Sequence, residues 1–308
     1  MPDRKPIVVV GSINMDLVAS TARIPVEGET VTGNGFQVHP GGKGANQAVA
    51  VARLGYPVHL IGRLGDDGFG AQLRGHLEEA GVEVSGVMTT PGSSGVAVIV
   101  VAENGENCIV VVPGANALLT PQDLDAKVET IHSAGIVLAQ LEVPVETVEH
   151  LAAICTEAGV PLMLDPAPAR ALPAELLARV SWFTPNETEA EFFIAKGAEG
   201  NDTSRIAEEL LGRGMAGVVL KLGSRGAWVQ KAGGVGQSVA SYKVEAVDTT
   251  AAGDAFNGAF ATGLMLGKEP IEAACFAAAA AAVSVTRAGA QPSMATMDEV
   301  EALMGSDA

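Results

Sequence analysis

Residues 247–258 read V-D-T-T-A-A-G-D-A-F-N-G, and this stretch predicts a loop that leads directly into a helix. Small side chains at positions 251–253 let the backbone approach a ligand closely. The first amides of a helix have no partner within it, and the helix dipole adds partial positive charge there, so this end attracts anions. Asp254 places a carboxylate beside it. The pattern favours phosphoryl transfer with Asp254 as general base, and a capped helix after a glycine turn is the alternative.

Strand and helix patterns alternate along most of the remaining chain. Ile7–Val10 is a run of β-branched residues that ends at a glycine, which is typical of a strand buried on both faces. The alternation predicts an α/β fold in which helices cover both faces of a mainly parallel sheet. The predicted strands are 7–10, 58–62, 135–141, 160–165, 182–184 and 218–222. The predicted helices are 69–80, 145–157, 187–195, 203–213, 255–266, 271–285 and 297–303.

Polar residues follow several of these strands, at the edge where such sheets bind ligands. They are Asn14, Asp16, Glu142, Asp165, Asn186, Glu189 and the segment 223–226. Each is individually well explained as a turn former, but their joint placement favours a polar site. Asn14 and Asp16 are two positions apart, so in an extended segment both face the same side and could hold adjacent hydroxyls of a polyol. An Asx-turn is the alternative for this pair.

A second glycine-rich loop lies at residues 40–48, which read P-G-G-K-G-A-N-Q-A. It also leads into a helix pattern and therefore predicts a cradle for an oxygen-rich ligand. It is not a Walker A loop, because Lys43 is followed by Gly44 rather than by Ser or Thr. Lys43 and Asn46 supply a cation and an amide for hydroxyl or phosphate contacts, and ordinary helix capping explains them equally well.

Two extended regions fall outside the main alternation, at about residues 14–39 and 94–112. Within the first, 29–32 looks like a short strand between glycines, and within the second, Asn104-Gly105 is a hairpin signal. Together they predict a small β-sheet outside the main one. Such a sheet is placed to act as a lid.

Composition limits the classes of partner. The chain has 308 residues with a net charge of −17, which argues against binding a nucleic-acid backbone. Its three cysteines lie far apart and form no metal-binding pattern, so we expect reduced thiols. Residues 273–285 form the longest apolar block, shorter than the roughly 20 residues that span a bilayer. No secretory signal pattern follows the first residues. We expect a cytoplasmic protein that binds neither nucleic acid nor membrane.

Four motifs in the same order resemble the phosphofructokinase-B family of sugar kinases, also called the ribokinase-like kinases. They are G-S-I-N-M-D at 11–16, G-G-K-G-A-N-Q at 41–47, T-P-N-E-T-E at 184–189 and D-T-T-A-A-G-D at 248–254. The resemblance covers nearly the whole chain. With L-G-S-R-G at 222–226 and T-R-A-G-A-Q-P-S at 286–293, the sequence is most similar to the members that phosphorylate ribose.

The resemblance implies a single Rossmann-like, three-layer kinase domain over residues 1–308 with a small β lid that also forms a homodimer contact. It implies phosphorylation of the 5-hydroxyl of D-ribose with ATP, Mg²⁺ and an activating monovalent cation such as K⁺. Asp254 would be the base, and the amides of Ala251, Ala252 and Gly253 would form the anion hole. The implied sugar-binding residues are Asn14, Asp16, Gly41, Gly42, Lys43, Asn46, Glu142 and Asp254. The implied nucleotide-binding residues are Asn186, Gly223, Ser224, Arg225, Gly226, Gly253 and Ala278, with Glu189 ordering Mg²⁺. The implied monovalent-cation residues are Asp248, Thr250, Ser284, Arg287, Gly289 and Ser293, several of them through backbone carbonyls.

Alternatives stay open at this point. Met15 stands between Asn14 and Asp16, where the best-known members that phosphorylate ribose often have a small residue, and related kinases with Met nearby can favour deoxyribose. Fructose and nucleosides are further candidate substrates, although aromatic residues make up only 4% of the chain and none lies in the sugar motifs. A non-catalytic sugar-binding regulator on the same scaffold is the alternative of another class. Asp254 argues against it, because a pure binder needs no base.

Overall fold

The main sheet is built around Ile7–Val10, a strand that is buried on both faces. The computed structural model describes residues 4–194 and 202–306. The strands of the main sheet are β1 Ile7–Val10, β4 Val58–Gly65, β5 Glu83–Thr90, β8 Ile136–Ala139, β9 Leu162–Leu164, β10 Trp182–Phe183, β11 Gly217–Lys221, β12 Ala227–Lys231 and β13 Gln237–Val239. Their order is β13-β12-β11-β10-β9-β8-β1-β4-β5. As expected, β1 is an interior strand, and it pairs in parallel with both β4 and β8.

Helices cover both faces of this sheet. They are α1 Lys43–Arg53, α2 Gly68–Glu79, α3 Pro121–Asp125, α4 Val128–Ser133, α5 Val145–Ala158, α6 Ala174–Leu177, α7 Glu187–Phe193, α8 Thr203–Leu211, α9 Ala252–Met265, α10 Pro270–Ser284 and α11 Met297–Ser306. The predicted helix at 187–195 thus ends at Phe193, and its last residue lies outside the described ranges. Within the described ranges, none of the helices has the length and apolar character needed to cross a bilayer.

The side chains of β1 divide between two hydrophobic cores. Ile7 and Val9 pack with residues of α1, α9 and α10 on one face, whereas Val8 and Val10 pack with residues of α5 and α8 on the other. All four are fully buried. Alternate side chains of a strand point to opposite faces, so helices are needed on both sides to bury this run. The predicted three-layer α/β architecture is confirmed.

Both edges of the main sheet were missed by the sequence reasoning, which predicted neither β5 at one edge nor β12 and β13 at the other. β12 and β13 continue the sheet beyond β11 and run antiparallel to their neighbours. The chain can reverse there because a tight hairpin suffices for antiparallel strands, whereas a parallel strand needs a longer crossover. The segment 223–226 is therefore the turn of a hairpin rather than a strand-to-helix loop.

A separate sheet forms from the two regions predicted to lie outside the main one. It contains β2 Asn14–Thr21, β3 Gly35–Gly41, β6 Gly95–Ala102 and β7 Asn107–Val112, in the order β3-β2-β6-β7. We call it the small sheet. β6 and β7 form the hairpin that Asn104-Gly105 predicted. The short strand expected at 29–32 is wrong, because Glu29 instead bonds to the Arg23 guanidinium and the Val26 amide and so closes a local loop.

Candidate active site

The loop that precedes α9 ends in a residue with a left-handed backbone. Ala251 has a φ of 58°, and α9 begins after it at Ala252 instead of at residue 255. A non-glycine residue in this region costs roughly 1–2 kcal/mol, and such strain concentrates at functional sites. The early start puts Gly253 and Asp254 in the first turn, where amides lack a helical acceptor. The Ala252 amide was expected to form part of the anion hole, but it donates to the Thr249 carbonyl at 3.2 Å and closes the turn.

Asp254 lies buried between α9 and α1. Its carboxylate accepts hydrogen bonds from Asn46 Nδ2 at 2.9 Å and from Gln47 Nε2 at 3.1 Å. The two helices approach closely because Gly258 faces α1, where a Cβ would come within 2.7 Å of the Ala50 Cβ. The glycine-rich loop at 40–48 and the stretch at 247–258 therefore meet, as expected if both serve one site.

Charges of both signs act on the buried Asp254 carboxylate. Burial raises the pKa of Asp254, while the Lys43 ammonium lowers it and Asp165 raises it further, so that the net pKa is raised. Burial alone would lower the pKa of Lys43, but Asp254, Asp165 and Glu142 outweigh it and keep that pKa above its ordinary value. Lys43 is thus an ammonium at neutral pH. A buried carboxylate next to a fixed cation is suited to accept a proton.

One cavity of about 390 Å³ opens beside Asp254 and below the small sheet. The predicted sugar-binding residues that line it are Asn14, Asp16, Gly42, Lys43, Asn46, Glu142 and Asp254. Gly41, which was also predicted to bind the sugar, does not line this cavity. A Cβ at Gly41 would lie 2.1 Å from Asp16 Oδ2, so the glycine makes room for that carboxylate. Asn14 and Asp16 share one face of β2 as predicted, whereas Met15 packs into the core on the other.

Several of these side chains are held in position by neighbours. Asn116 Nδ2 donates to Asn14 Oδ1 at 2.7 Å, and the Asn116 carboxamide also bonds to the backbone of Ile13. Glu142 Oε2 accepts from the Ser12 hydroxyl and from the Lys43 amide. Side chains locked in this way present their remaining polar atoms to the cavity in a fixed geometry.

A second cavity, of about 450 Å³, adjoins the first. Gly223, Ser224, Gly226, Gly253 and Ala278 line it, as predicted for a nucleotide site. Arg225 does not, because its guanidinium pairs with the exposed carboxylate of Glu187. Both cavities are lined by Lys221, Gly223, Thr249, Ala252 and Gly253, so they adjoin at the start of α9.

Asn186 and Glu189 line the first cavity rather than the second. They also cap α7, since Asn186 Oδ1 accepts from the Glu189 amide and Glu189 Oε2 accepts from the Asn186 amide, each at 2.8 Å. This is a capping box, which explains the pair structurally. Glu189 nevertheless belongs to the lining of the cavity. Proteins hold Mg²⁺ through one or two such carboxylates together with substrate phosphates, so this residue fits the ion.

The predicted monovalent-cation residues are only partly brought together. Asp248 Oδ1 accepts from the amide and hydroxyl of Thr250, and Asp248 Oδ2 accepts from the Gly289 amide at 2.8 Å. Burial raises the pKa of Asp248, but these donors lower it more, so the group is ionised. The hydroxyls of Ser284 and Ser293 bond to carbonyls in their own turns, and Arg287 pairs with Glu299. A hydroxyl that donates its hydrogen keeps its lone pairs, so Ser284 and Ser293 can each offer a hydroxyl or a carbonyl oxygen, whereas Arg287 can offer only its carbonyl oxygen.

Residues that the sequence reasoning did not single out complete the polar interior. Gln140 Nε2 donates to Gln47 Oε1 at 2.7 Å, and Gln47 Nε2 lies 3.2 Å from Asp165 Oδ2. Gln47 directly follows Asn46 in the glycine-rich motif, so the motif itself could have predicted that Gln47 belongs to the site. Lys221 pairs with Asp165 across two strands. In the described ranges, no group of three or more His, Cys, Asp or Glu side chains could hold a metal ion without other ligands.

The chain also matches a known protein family over nearly its whole length. A family model described as pfkB family carbohydrate kinase matches residues 4–297. The chain belongs to the pfkB family of carbohydrate kinases. A ribokinase of Bacillus subtilis is 42% identical to this pfkB kinase over 97% of this chain and 99% of its own. A deoxyribokinase of Salmonella typhimurium is 37% identical over 95% of this chain and 96% of its own. The solved structure of an Arabidopsis thaliana ribokinase complexed with ribose and ATP is 36% identical, with a TM-score of 0.89 over 98% of this chain and 99% of that one.

Replacing Asp16 by Asn in this pfkB kinase should raise the stability of the unliganded protein and weaken its binding of sugar. Burial, Glu142 and Asp254 raise the pKa of Asp16 to about 7 against the lowering effect of Lys43. Without sugar, the contribution of Asp16 to folding therefore becomes less favourable as the pH rises from its ordinary pKa of 3.8 to about 7, because the folded state disfavours the ionised form. Asp16→Asn stays neutral, so at pH 8 we expect the unliganded variant to gain roughly 2–4 kcal/mol of unfolding free energy.

The same variant should bind sugar less tightly, because a carboxylate that accepts hydroxyls makes charge-assisted bonds worth about 1.5–3 kcal/mol each. We expect the sugar KM to rise about tenfold or more. The gain in unfolding free energy is measured by urea unfolding of the unliganded proteins at pH 5 and pH 8. Asp298→Asn serves as the control for loss of an exposed carboxylate. A gain of equal size at both pH values, or an unaltered KM, would contradict this role of Asp16.

Proposed function

We propose that this protein is an ATP-dependent kinase that phosphorylates the 5-hydroxyl of D-ribose. The observation that carries the proposal is the position of Asp254, which lines the cavity rich in polar side chains and directly follows Gly253, a residue that also lines the second cavity. A sugar in the first cavity and a nucleotide in the second would place a hydroxyl between Asp254 and the terminal phosphate. Ribose and ATP are the ligands that the Arabidopsis relative binds.

The first cavity supplies groups suited to a polyol. The Asp16 and Glu142 carboxylates accept hydrogen bonds from hydroxyls, while Asn14 and Asn46 offer amides and Lys43 a cation. Gly42 lets the backbone approach the sugar closely, and Gly41 leaves room for the Asp16 carboxylate. Ala97, Ile99, Ile109 and Val111 of the small sheet form an apolar wall on the other side. Such a wall excludes water and so limits wasteful hydrolysis of ATP.

In the reaction, Asp254 accepts the proton of the 5-hydroxyl as its oxygen bonds to the γ-phosphorus. The bond between that phosphorus and the β–γ bridging oxygen breaks, and ADP leaves with the electron pair. The amides at Ala251 and Gly253 and the dipole of α9 face the phosphoryl group as its charge spreads. Asn46 and Gln47 keep the carboxylate aimed at the hydroxyl through their bonds to Asp254.

The second cavity would hold the nucleotide, with the loop at 223–226 along it and Ala278 against the base. Ala278 can offer packing alone to that base. Mg²⁺ supplies charge neutralisation of the phosphates when bound, and Asn186 and Glu189 are the residues that would order it. Asp248 and Thr250, with carbonyls from Ser284, Arg287, Gly289 and Ser293, would hold the monovalent cation.

Deoxyribose is the second candidate substrate, since the Salmonella relative is a deoxyribokinase of nearly full-length similarity. Met15 is 3% exposed and packs in the core, so it acts on sugar choice only through the strand it belongs to. A panel of ribose, deoxyribose, fructose, other pentoses and adenosine, each with ATP in a coupled ADP assay, tests the proposal. We expect ribose to give the highest kcat/KM. Higher values with another sugar would reassign the substrate, and no sugar-dependent ADP release with any of them would favour a non-catalytic regulator.

We also propose that residues 1–308 act as one kinase domain whose small sheet is a lid and pairs two copies in a homodimer. The lid face turned away from the sugar cavity exposes a continuous apolar patch. Its members lie on neighbouring strands with the same pleat direction and are Phe36, Val38, Val98, Val110 and Val112, with exposures from 42% to 65%. A monomer rarely leaves such a patch uncovered.

Three free cysteines and the use of ATP support a cytoplasmic location.

Val110→Glu should convert a dimer into a monomer, because it puts a charge in the middle of the patch beside Val98. Sedimentation would show twice the 31.2 kDa chain mass for the wild type and the single-chain mass for the variant. Val235→Glu is the matched control, since Val235 is 90% exposed and lies away from the patch. A wild type that sediments as a single chain, or a Val110→Glu variant that stays dimeric, would exclude pairing through this face.

A further inference from the structure

A lysine occupies the boundary between the two cavities. Lys221 is the last residue of β11, and its side chain is 12% exposed. It belongs to the lining of both cavities, and among the described residues that line both it is the charged one. The side chain is therefore placed where a group passing from nucleotide to sugar must travel.

The ammonium of Lys221 also lies beside the start of α9. A Cβ built on Gly253 would lie 3.4 Å from Lys221 Nζ, so the cation and the first-turn backbone flank the same space. An anion bound by the helix start would contact the ammonium as well. Gly253 leaves that space open, because any larger side chain would fill it.

Asp165 fixes the direction of this lysine. Lys221 Nζ lies 2.9 Å from Asp165 Oδ1, and the Asp165 side chain is only 3% exposed. The other oxygen, Asp165 Oδ2, accepts from Gln47 Nε2, which also donates to Asp254 Oδ1. Gln140 in turn holds Gln47. One chain of buried hydrogen bonds thus connects the ammonium to the base, and it fixes both relative to α9.

The first cavity is acidic, so an anionic phosphoryl group that enters it needs a nearby cation. The first cavity is lined by the carboxylates of Asp16, Glu142, Asp165, Glu189 and Asp254, against the ammonium groups of Lys43 and Lys221. Lys43 lines only the sugar cavity and Lys243 lines only the second cavity, so Lys221 is the lysine at the boundary between them. A phosphoryl group entering the acidic first cavity would be repelled unless a fixed cation stood at that boundary.

We infer that Lys221 is a catalytic residue that binds the transferring phosphoryl group, with Asp165 as the positioning residue that aims it. The inference rests on the proposed kinase function and assigns a side chain to the phosphoryl site. The ammonium donates a hydrogen bond to a non-bridging oxygen of the γ-phosphoryl group and keeps its own proton throughout. As the phosphorus moves from the bridging oxygen of ATP to the sugar hydroxyl oxygen, the proton of that hydroxyl goes to Asp254 and ADP takes the bonding pair. The cation acts on charge that builds up during the transfer, so its effect belongs mainly to kcat.

The first test is Lys221→Met, which keeps the alkyl stem and removes the charge. We expect kcat to fall roughly 10²-fold with little change in the sugar KM, since removing one preorganised donor typically costs 10²–10³ in rate. Lys221→Arg should recover a measurable part of the loss, because it restores a cation. Lys127→Met, which removes an exposed lysine bonded to the Ser85 carbonyl, is the control and should leave kcat unchanged.

A double variant separates catalysis from structure. Lys221→Met alone leaves Asp165 buried without its cation, and that defect could itself disturb Asp254 through Gln47. Lys221→Met with Asp165→Asn removes both charges and should regain the thermal stability of the wild type. If Lys221 acts on phosphate, the double variant stays as slow as Lys221→Met. If Lys221 only neutralises Asp165, the double variant recovers the wild-type rate and the inference is wrong.

Binding of a transition-state analogue gives a readout without turnover. Titration with ADP, Mg²⁺, aluminium fluoride and ribose should show analogue affinity falling in Lys221→Met by about the factor lost from kcat, while affinity for ADP alone changes little. Equal analogue affinity in wild type and Lys221→Met would overturn the assignment. If the wild type itself neither binds the analogue nor phosphorylates any sugar, the proposed kinase function fails instead.

Discussion

Replacing Asp254 by Asn is expected to lower kcat by roughly 10²–10⁴-fold while ATP affinity changes little. A sugar hydroxyl is a poor nucleophile, and general-base assistance typically contributes that factor. The substitution keeps the side-chain shape and removes the proton acceptor. The nucleotide cavity is lined mainly by the loop at 223–226 and the segments around α9 and α10, which the substitution leaves intact. Rapid-quench single-turnover kinetics measures the chemical step directly.

The structure specifies a control for this variant. An Asn at position 254 presents an NH₂ group toward Asn46 or Gln47, both of which donate to Asp254 in the native protein. Some loss of thermal stability is therefore expected, and it must be measured separately from rate. Asp298→Asn removes an exposed carboxylate in α11 and should affect neither quantity. A folded Asp254→Asn enzyme that retains more than a tenth of the wild-type single-turnover rate would mean that the base lies elsewhere.

A second large effect is expected from the monovalent-cation site. Asp248 connects the loop before Ala251 to the backbone at Gly289, and an ion held there would fix the direction of the amides that face the phosphate. One such donor is worth roughly 10²–10³ in rate. We expect turnover to fall by about that factor when K⁺ is replaced by a bulky tetraalkylammonium ion.

The variant Asp248→Ala should be slow in both salts, because it loses the ion and the bonds to Thr250 and Gly289 together. Measuring kcat for wild type and variant in the two salts at one ionic strength therefore separates the ion from the loop. Equal wild-type turnover in K⁺ and in the organic salt would show that the ion has no role.

Local patterns predicted the parts of the site that lie within single motifs. Asp254 and Gly253 stand at a helix start, and Asn14 and Asp16 share one face of a strand, because small residues before a helix and period-two spacing are local features. The main sheet followed from alternation, since a β-branched run such as Ile7–Val10 must be covered on both faces.

Other features depend on partners that are distant in the chain. The Lys221–Asp165 pair joins residues 56 positions apart, and Asn116 reaches Asn14 over 102 positions. Arg225 was expected at the nucleotide, but Glu187 offers it an exposed carboxylate instead. The short strand expected at 29–32 failed for a local reason, since Arg23 is near enough in sequence to bind Glu29 and close a loop. Periodicity contains no information about such pairings, so only the folded chain reveals them.

In the proposed reaction, Asp254 faces the hydroxyl of the sugar that is phosphorylated. A crystal structure of this protein with ribose, ADP, Mg²⁺ and aluminium fluoride measures that position directly. We expect the ribose 5-oxygen about 2.6–3.2 Å from an Asp254 carboxylate oxygen, with the fluoride group between the 5-oxygen and ADP. A ribose bound with a different hydroxyl toward Asp254, or with its 5-oxygen beside another acidic side chain, would contradict it.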